Sequence, residues 1–265
     1  MDMQKHIAFD GALEKLPPIT LDEMDSIKLM NRTDSKFLTD EPMLLRILDR
    51  AAAAGYRALS VEGLKISRYN SVYYDTAALK MFYDHHNCHL VRQKVRTRVY
   101  VESGQTFLEV KRKNNHGRTK KKRMEIAPQE LMDFGSDAAA CDFLAAKSWF
   151  TQPELAPVLS TAFRRITLVN PAKTERLTID TDLYFENFRT GHKASLGSAV
   201  IIELKQDGRA ASQMKNILLD LRVKPIRVSK YCVAVTLTSP DTKTNRFKEK
   251  IRKIEKTIGN KLVTI

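Results

Sequence analysis

Residues Leu90 to Val101, LVRQKVRTRVYV, constrain the fold more than any other stretch. With period two, one face carries Arg92, Lys94, Arg96, Arg98 and Tyr100, and the other carries Val91, Gln93, Val95, Thr97, Val99 and Val101. That alternation predicts a β-strand, β-branched on one side and cationic on the other. Like charges along one strand face repel, so an ordinary surface strand mixes its signs. Four cations in file require an anion of comparable charge density or a fully solvated face.

Other segments repeat the pattern. Asn31 to Leu38 places Arg32, Asp34 and Lys36 on one face, and Thr106 to Lys113 places Phe107, Glu109, Lys111 and Lys113 opposite Leu108 and Val110. The next strand, from Arg118 to Ile126, opens with RTKKKR. Further strands are predicted at Ser67 to Thr76, Leu155 to Val169, Arg176 to Glu186 and Val200 to Lys205. Helices are predicted at Leu21 to Met30, Met43 to Ala54, Ala77 to His86, within 128–150, and at Arg209 to Leu221. The segment VSKYCVAVTL after Pro225 reads equally as strand or helix. Short turns between strands predict an antiparallel sheet. About eight strands with charged faces predict an α+β fold: a closed antiparallel barrel forming a tunnel, charged faces inward, helices packed outside. So many inward cations exclude a dry lumen and imply a wet, anion-filled one.

Domain boundaries follow composition: an N-terminal arm over 1–20, one domain over 21–240, and a basic amphipathic helix over 241–265. Lys and Arg total 45 against 31 Asp and Glu, a net charge of +14, which points to polyanionic partners. Few aromatic residues join the charged faces, which disfavours base stacking on single-stranded nucleic acid. No run of about 18 apolar residues predicts a membrane span, and the N-terminus has no apolar signal core. Three widely spaced cysteines argue against a disulfide framework, and a cytoplasmic location is expected.

The inward list is Arg32, Asp34, Lys36, Arg92, Lys94, Arg96, Arg98, Glu109, Lys111, Lys113, Arg165, Arg176, Glu203 and Lys205. Cations clamp phosphate oxygens, Arg as a fork and Lys as a point charge. Carboxylates among them suit a divalent ion bridging phosphates, or neutralise their cationic neighbours. This is the division of labour that phosphoryl transfer needs. An unfilled tunnel of like charges repels itself, so removal of Arg96 is expected to leave the fold as stable as before or more so.

The ordered motifs R-x-D-x-K-F (32–37), S-V-Y-Y-D-T (71–76), R-x-K-x-R-x-R-x-Y (92–100), F-L-E-V-K (107–111), F-x-R (163–165), R-L-T-I-D (176–180), I-I-E-L-K (201–205) and S-K-Y-C (229–232) resemble the VTC domain. That is the catalytic domain of the vacuolar transporter chaperone polyphosphate polymerase and its bacterial relatives, within the triphosphate tunnel metalloenzymes. The resemblance runs from about Asn31 to Thr238. It implies binding of ATP, triphosphate and polyphosphate with Mn²⁺ or Mg²⁺. By motif match it implies catalytic roles for Lys36, Arg96, Arg98, Arg165 and Lys230, and a metal-ligand role for Glu203. Arg32, Arg92, Lys94, Lys111, Lys113, Arg176, Lys205 and Ser229 would add substrate contacts. Two positions depart from the family pattern: Asp34 stands where Glu is usual, and Phe163 where Tyr is common. The chain shows no SPX sensor domain and no membrane helix, so product translocation is not expected.

Hydrolysis of triphosphate in the same tunnel, and non-catalytic polyanion binding, remain as alternatives. His85, His86, Cys88 and His89 crowd together but fit no zinc spacing, and are read as a helix end. In the tail, Phe247, Ile251, Ile254 and Ile258 form an apolar stripe expected to pack on its own domain. Its basic face leaves weak contact with an anionic membrane surface open.

Overall fold

The computed structural model describes residues 3–25, 27, 32–208 and 211–264. The elements in chain order are α1 (Met3–Glu14), β1 (Pro18–Ile19), α2 (Leu21–Asp25), β2 (Arg32–Asp40), α3 (Glu41–Ala53), β3 (Arg57–Leu59), β4 (Ser67–Asp75), α4 (Lys80–His86), β5 (Arg92–Tyr100), β6 (Thr106–Lys113) and β7 (Thr119–Ile126). There follow α5 (Ala138–Lys147), β8 (Ala156–Val169), β9 (Glu175–Asn187), β10 (Lys193–Ser195), β11 (Ala199–Asp207), α6 (Gln213–Asp220), α7 (Lys230–Thr238) and α8 (Lys248–Ile258).

Eight strands form the sheet in the order β2-β11-β9-β8-β4-β5-β6-β7, all neighbours antiparallel. The short strands β10 and β3 add to β9 and β8, and β1 runs parallel to β3. Hydrogen bonds do not close this sheet into a barrel, because β2 and β7 are not paired with each other. Instead the outer edge of β2 is laced by residues 224–226: Ile226 N donates to Lys36 O at 2.8 Å, and Phe37 bridges Pro225. The sheet still curls. Lys36 on β2 donates to Val228 O (3.0 Å) while Lys94 on β5 donates to Ser229 Oγ (2.7 Å), so strands five places apart in the order meet over one segment. The result is a trough.

Its convex face is apolar. Phe37, Ile166, Leu168, Leu177, Ile179, Ile202 and Leu204 pack against α1, α3 and α6, while Val72, Tyr74, Val95, Leu108 and Val110 pack against α5. Helix α3 buries Leu44, Ile47, Leu48 and Ala51, an i, i+3, i+4, i+7 stripe, and Asp40 caps it by accepting from Met43 N at 2.9 Å. The end of the expected N-terminal arm joins this core: α1 places Ala12 and Leu13, with Leu16 just beyond it, against α3. Of the helix expected over 21–30, Leu21–Asp25 is helical; 26 and 28–30 lie outside the described residues.

One group of helices does not sit outside. Leu38, Ile201, Phe163, Leu159 and Tyr73 belong to the concave face, and they pack on Tyr231, Cys232 and Val235 of α7, with α4 and α8 behind. The ambiguous segment is therefore a helix filling one end of the trough. Tyr231, Cys232, Val233, Ala234 and Val235 are all buried, which is why it shows no one-sided stripe. The tail packs as expected, with Ile251, Ile254 and Ile258 against this cluster. No helix among the described residues is long and apolar enough to cross a membrane. All three cysteines are free.

Asp75, at the end of β4, fastens this plug. It accepts from Met81 N and Phe82 N (both 2.9 Å) and from Tyr231 Oη (2.5 Å). Asp75→Ala leaves these buried donors without their acceptor, and is expected to lower unfolding stability by at least about 2 kcal/mol. Denaturant titration of both proteins checks this; equal midpoints and slopes would refute the anchoring role.

Candidate functional site

Strand register alone assembles the site. Arg96 pairs across β5–β6 with Glu109, Lys94 with Lys111, and Arg92 with Lys113. Glu109 and Lys111 lie opposite Arg123 and Lys121 on β7. On the other limb Arg165 faces Asp180, Glu203 faces both Thr178 and Lys36, and Lys205 faces Arg176 and Asp34. Because side chains alternate along a strand, all of these share the concave face. Every inward residue read from the sequence falls in this register; the side chain of Arg32, at the start of β2, lies outside the described residues.

The carboxylates divide the cations among themselves. Glu109 is fully buried, and it takes Arg96 through Nη2 (2.5 Å) and Nε (2.7 Å), and Lys121 at 2.9 Å. Arg96 spends its remaining Nη1 on Tyr73 Oη (3.0 Å). Asp180 takes Arg165 in forked geometry (2.6 and 2.9 Å) and also Lys230 at the start of α7. Glu203 holds Lys205 at 3.1 Å and keeps 26% of its side chain exposed, more than the 2% of Asp180. Burial raises the affinity of all three carboxyls for protons, but the neighbouring cations outweigh it. They hold each well below the usual carboxylate range.

Among the described residues, Arg98 and Lys111 make no ion pair, and neither do Lys113 on β6 and Arg123 on β7. Arg98 is 5% exposed, and its Nε donates to Ser71 Oγ at 2.8 Å. Its terminal nitrogens have no hydrogen-bond or ion-pair partner among the described residues. Burial, then Arg96 and Arg165, push its affinity for its proton down, to about 10. Lys111 likewise has no such partner among the described residues. Arg96 first, then burial and Arg98, hold its amine well below the ordinary lysine value, against the opposing pull of Glu109 and then Glu203. Tyr73 answers the same field. Burial pushes its phenol up, but Arg96, Arg98, Lys94 and Lys230 outweigh this and hold it at about 8.

The remaining expected residues divide between anchors and one mouth. Lys36 and Lys94 bind the 228–229 segment, and Ser229 also caps α7 by accepting from Cys232 N. Arg92 donates to His89 O at 2.6 Å and, with Arg227, depresses the Lys113 amine behind the effect of burial. The histidine cluster is structural: His86 lies 2.9 Å from both Asn87 Oδ1 and Asn245 Oδ1, and His89 pairs with Asp84. No group of three His, Cys, Asp or Glu side chains converges among the described residues. A divalent ion would therefore have Glu203 and, farther along the same face, the exposed Asp34 as accessible carboxylates and draw its other oxygens from phosphate and water. That donor set suits Mg²⁺ or Mn²⁺.

Sequence reading missed Tyr73, Lys121 and the double role of Asp180. Lys121 was visible as the residue of the RTKKKR run with the same parity as Arg123 and Thr119. The structure also corrects the expectation for Arg96. Its loss leaves Glu109 buried with Lys121 alone, so Arg96→Ala is expected to cost about 3–5 kcal/mol, the range for breaking a buried pair. Arg98→Ala removes a cation with no carboxylate of its own, and should leave the melting temperature unchanged or higher. Thermal melts of the two variants without ligand check the contrast; equal losses would refute it.

The sequence profile described as the VTC domain matches residues 31–239. No curated protein matches the chain. Among solved structures, a candidate adenylate cyclase from Bacillus halodurans has a similar fold, with a TM-score of 0.51 and 13% identity over 83% of this chain and 100% of that one. A protein from Hippeastrum, described as a candidate adenylyl cyclase with a dominant triphosphatase activity, aligns with a TM-score of 0.49 and 16% identity over 78% of this chain and 96% of that one.

Proposed function

Because the chain belongs to the VTC domain family, within the triphosphate tunnel metalloenzymes, we propose that it moves the γ-phosphate of ATP onto a polyphosphate chain lying in the trough. The observation that carries this reading is the file of inward cations in which Arg98 and Lys111 have no carboxylate partner. A phosphate chain supplies the missing negative charge along its whole length. A single phosphate would answer only part of the file.

In this mechanism the terminal nitrogens of Arg98 fork onto phosphate oxygens, and Lys111 adds a point charge whose protonated form a bound polyanion favours. Arg96 and Arg165, locked by Glu109 and Asp180, fix the walls against which the chain is aligned. Lys36, Lys94 and Lys230 line the end near α7, and Lys205 and Arg176 lie beside Glu203. A divalent ion held by Glu203 would offset phosphate charge and orient the transferred group. The nucleophile is a phosphate oxygen of the acceptor, so no covalent protein intermediate is needed, and catalysis is positioning with charge stabilisation.

Incubation of the pure protein with ATP and Mn²⁺ is expected to release ADP and build long polyphosphate with little free phosphate. Stoichiometric free phosphate without polymer would replace this reading with a triphosphatase. Tight triphosphate binding without turnover would replace it with a binding protein.

Glu203→Gln keeps size and removes charge. Turnover is expected to fall by about a hundredfold or more, the scale of one lost electrostatic stabiliser, while metal-free tripolyphosphate binding survives or tightens. Matching rate curves against Mn²⁺ concentration for the two proteins would end the metal-ligand assignment.

A further inference from the structure

Cation pairing in the trough leaves one arrangement that charge alone does not explain. Asp180 serves both Arg165 and Lys230, and Glu109 is taken by Arg96 and Lys121. Arg98 sits between these groups with no carboxylate, in a buried position where an unsupported guanidinium is costly. What it does have is aromatic. Register sets Tyr69 opposite Phe163, and their rings lie nearly parallel, 5.3 Å apart at 8°. The Arg98 guanidinium carbon lies 5.3 Å from the Tyr69 centroid and 5.5 Å from that of Phe163; Arg165 (4.9 and 5.2 Å) and Lys230 (4.8 Å from Phe163) share these rings, but both are already held by Asp180. Tyr100 fixes Tyr69 from the side, edge-on at 5.0 Å.

We propose that Tyr69 and Phe163 are positioning residues, whose ring faces hold the Arg98 guanidinium so that its terminal nitrogens stay available to a phosphate chain. This rests on the reading that the trough binds phosphate chains. A carboxylate in the same place would occupy the fork, as Glu109 occupies that of Arg96. A ring face attracts the cation through its quadrupole and uses no N–H donor. The hydroxyl of Tyr69 makes no hydrogen bond among the described residues, so the ring is the working part, and Phe can replace it.

The test is calorimetric titration of inorganic tripolyphosphate without metal into wild type, Tyr69→Leu, Tyr69→Phe, Arg98→Met and the double variant Tyr69→Leu/Arg98→Met. Tyr69→Leu is expected to weaken binding about tenfold, the scale of a desolvated cation–π contact. Tyr69→Phe stays within about twofold of wild type, and the Leu effect disappears in the Arg98→Met background. Binding by Tyr69→Leu as tight as wild type overturns the proposal, as does an equal loss with and without Arg98. Either result leaves the phosphate-chain reading standing, whereas a wild type that does not bind tripolyphosphate removes both. Should Tyr69→Leu fail to fold, Phe163→Leu removes the facing ring and carries the same expectations.

Discussion

The structure depends on keeping like charges close together without letting them push the sheet apart. Arg96, Arg98, Lys94 and Lys111 come from two adjacent strands, so their backbones stand at the ordinary strand spacing. Such a cluster stays folded only if each cation has a local answer. Glu109 ties β5, β6 and β7 together by holding Arg96 and Lys121. Asp180 does the same for β8, β9 and the start of α7 through Arg165 and Lys230. Each carboxylate is thus a cross-brace between elements, and the anion-facing work falls to the cations that the braces leave over.

The apolar plug sharpens this electrostatics. Helix α7 fills one end of the concave face and excludes water from the base of the charged region. Charges there interact through a medium of lower polarisability than water, which is why ordinary side chains titrate far from their usual values. Tyr73 shows both influences at once: it stacks on Tyr231 of the plug at 5.1 Å and receives a hydrogen bond from Arg96. Its phenol at about 8 reflects a field of four cations overcoming burial.

Much of the site could be read from alternation alone. On β5 and β6 the period-two pattern is clean, and parity put each cation on the correct face before any pairing was known. The family motifs also named Lys230, which lies on an element with little pattern of its own. What escaped the sequence is what depends on distant pairs. The role of Asp180 requires Lys230, fifty positions later. The burial of α7 on all sides erased the stripe that would have marked it as a helix. The pairing of 224–226 with β2, in place of a final strand, follows from tertiary geometry and leaves no local trace. The N-terminal helix escaped because its apolar residues form no one-sided stripe; it joins the core through Leu13 and, just after it, Leu16 against α3.

That lacing has a mechanical consequence. A closed barrel resists dilation everywhere, because widening it means breaking a ladder of backbone bonds. Here β2 is joined to 224–226 by a short patch of backbone bonds, while the lysines Lys36 and Lys94 reach the following residues from two sides on flexible stems. The wall is therefore stiff across its eight paired strands and more compliant where β2 meets 224–226. That junction borders the residues leading into α7, so any change in girth is transmitted to the helix that floors the cavity.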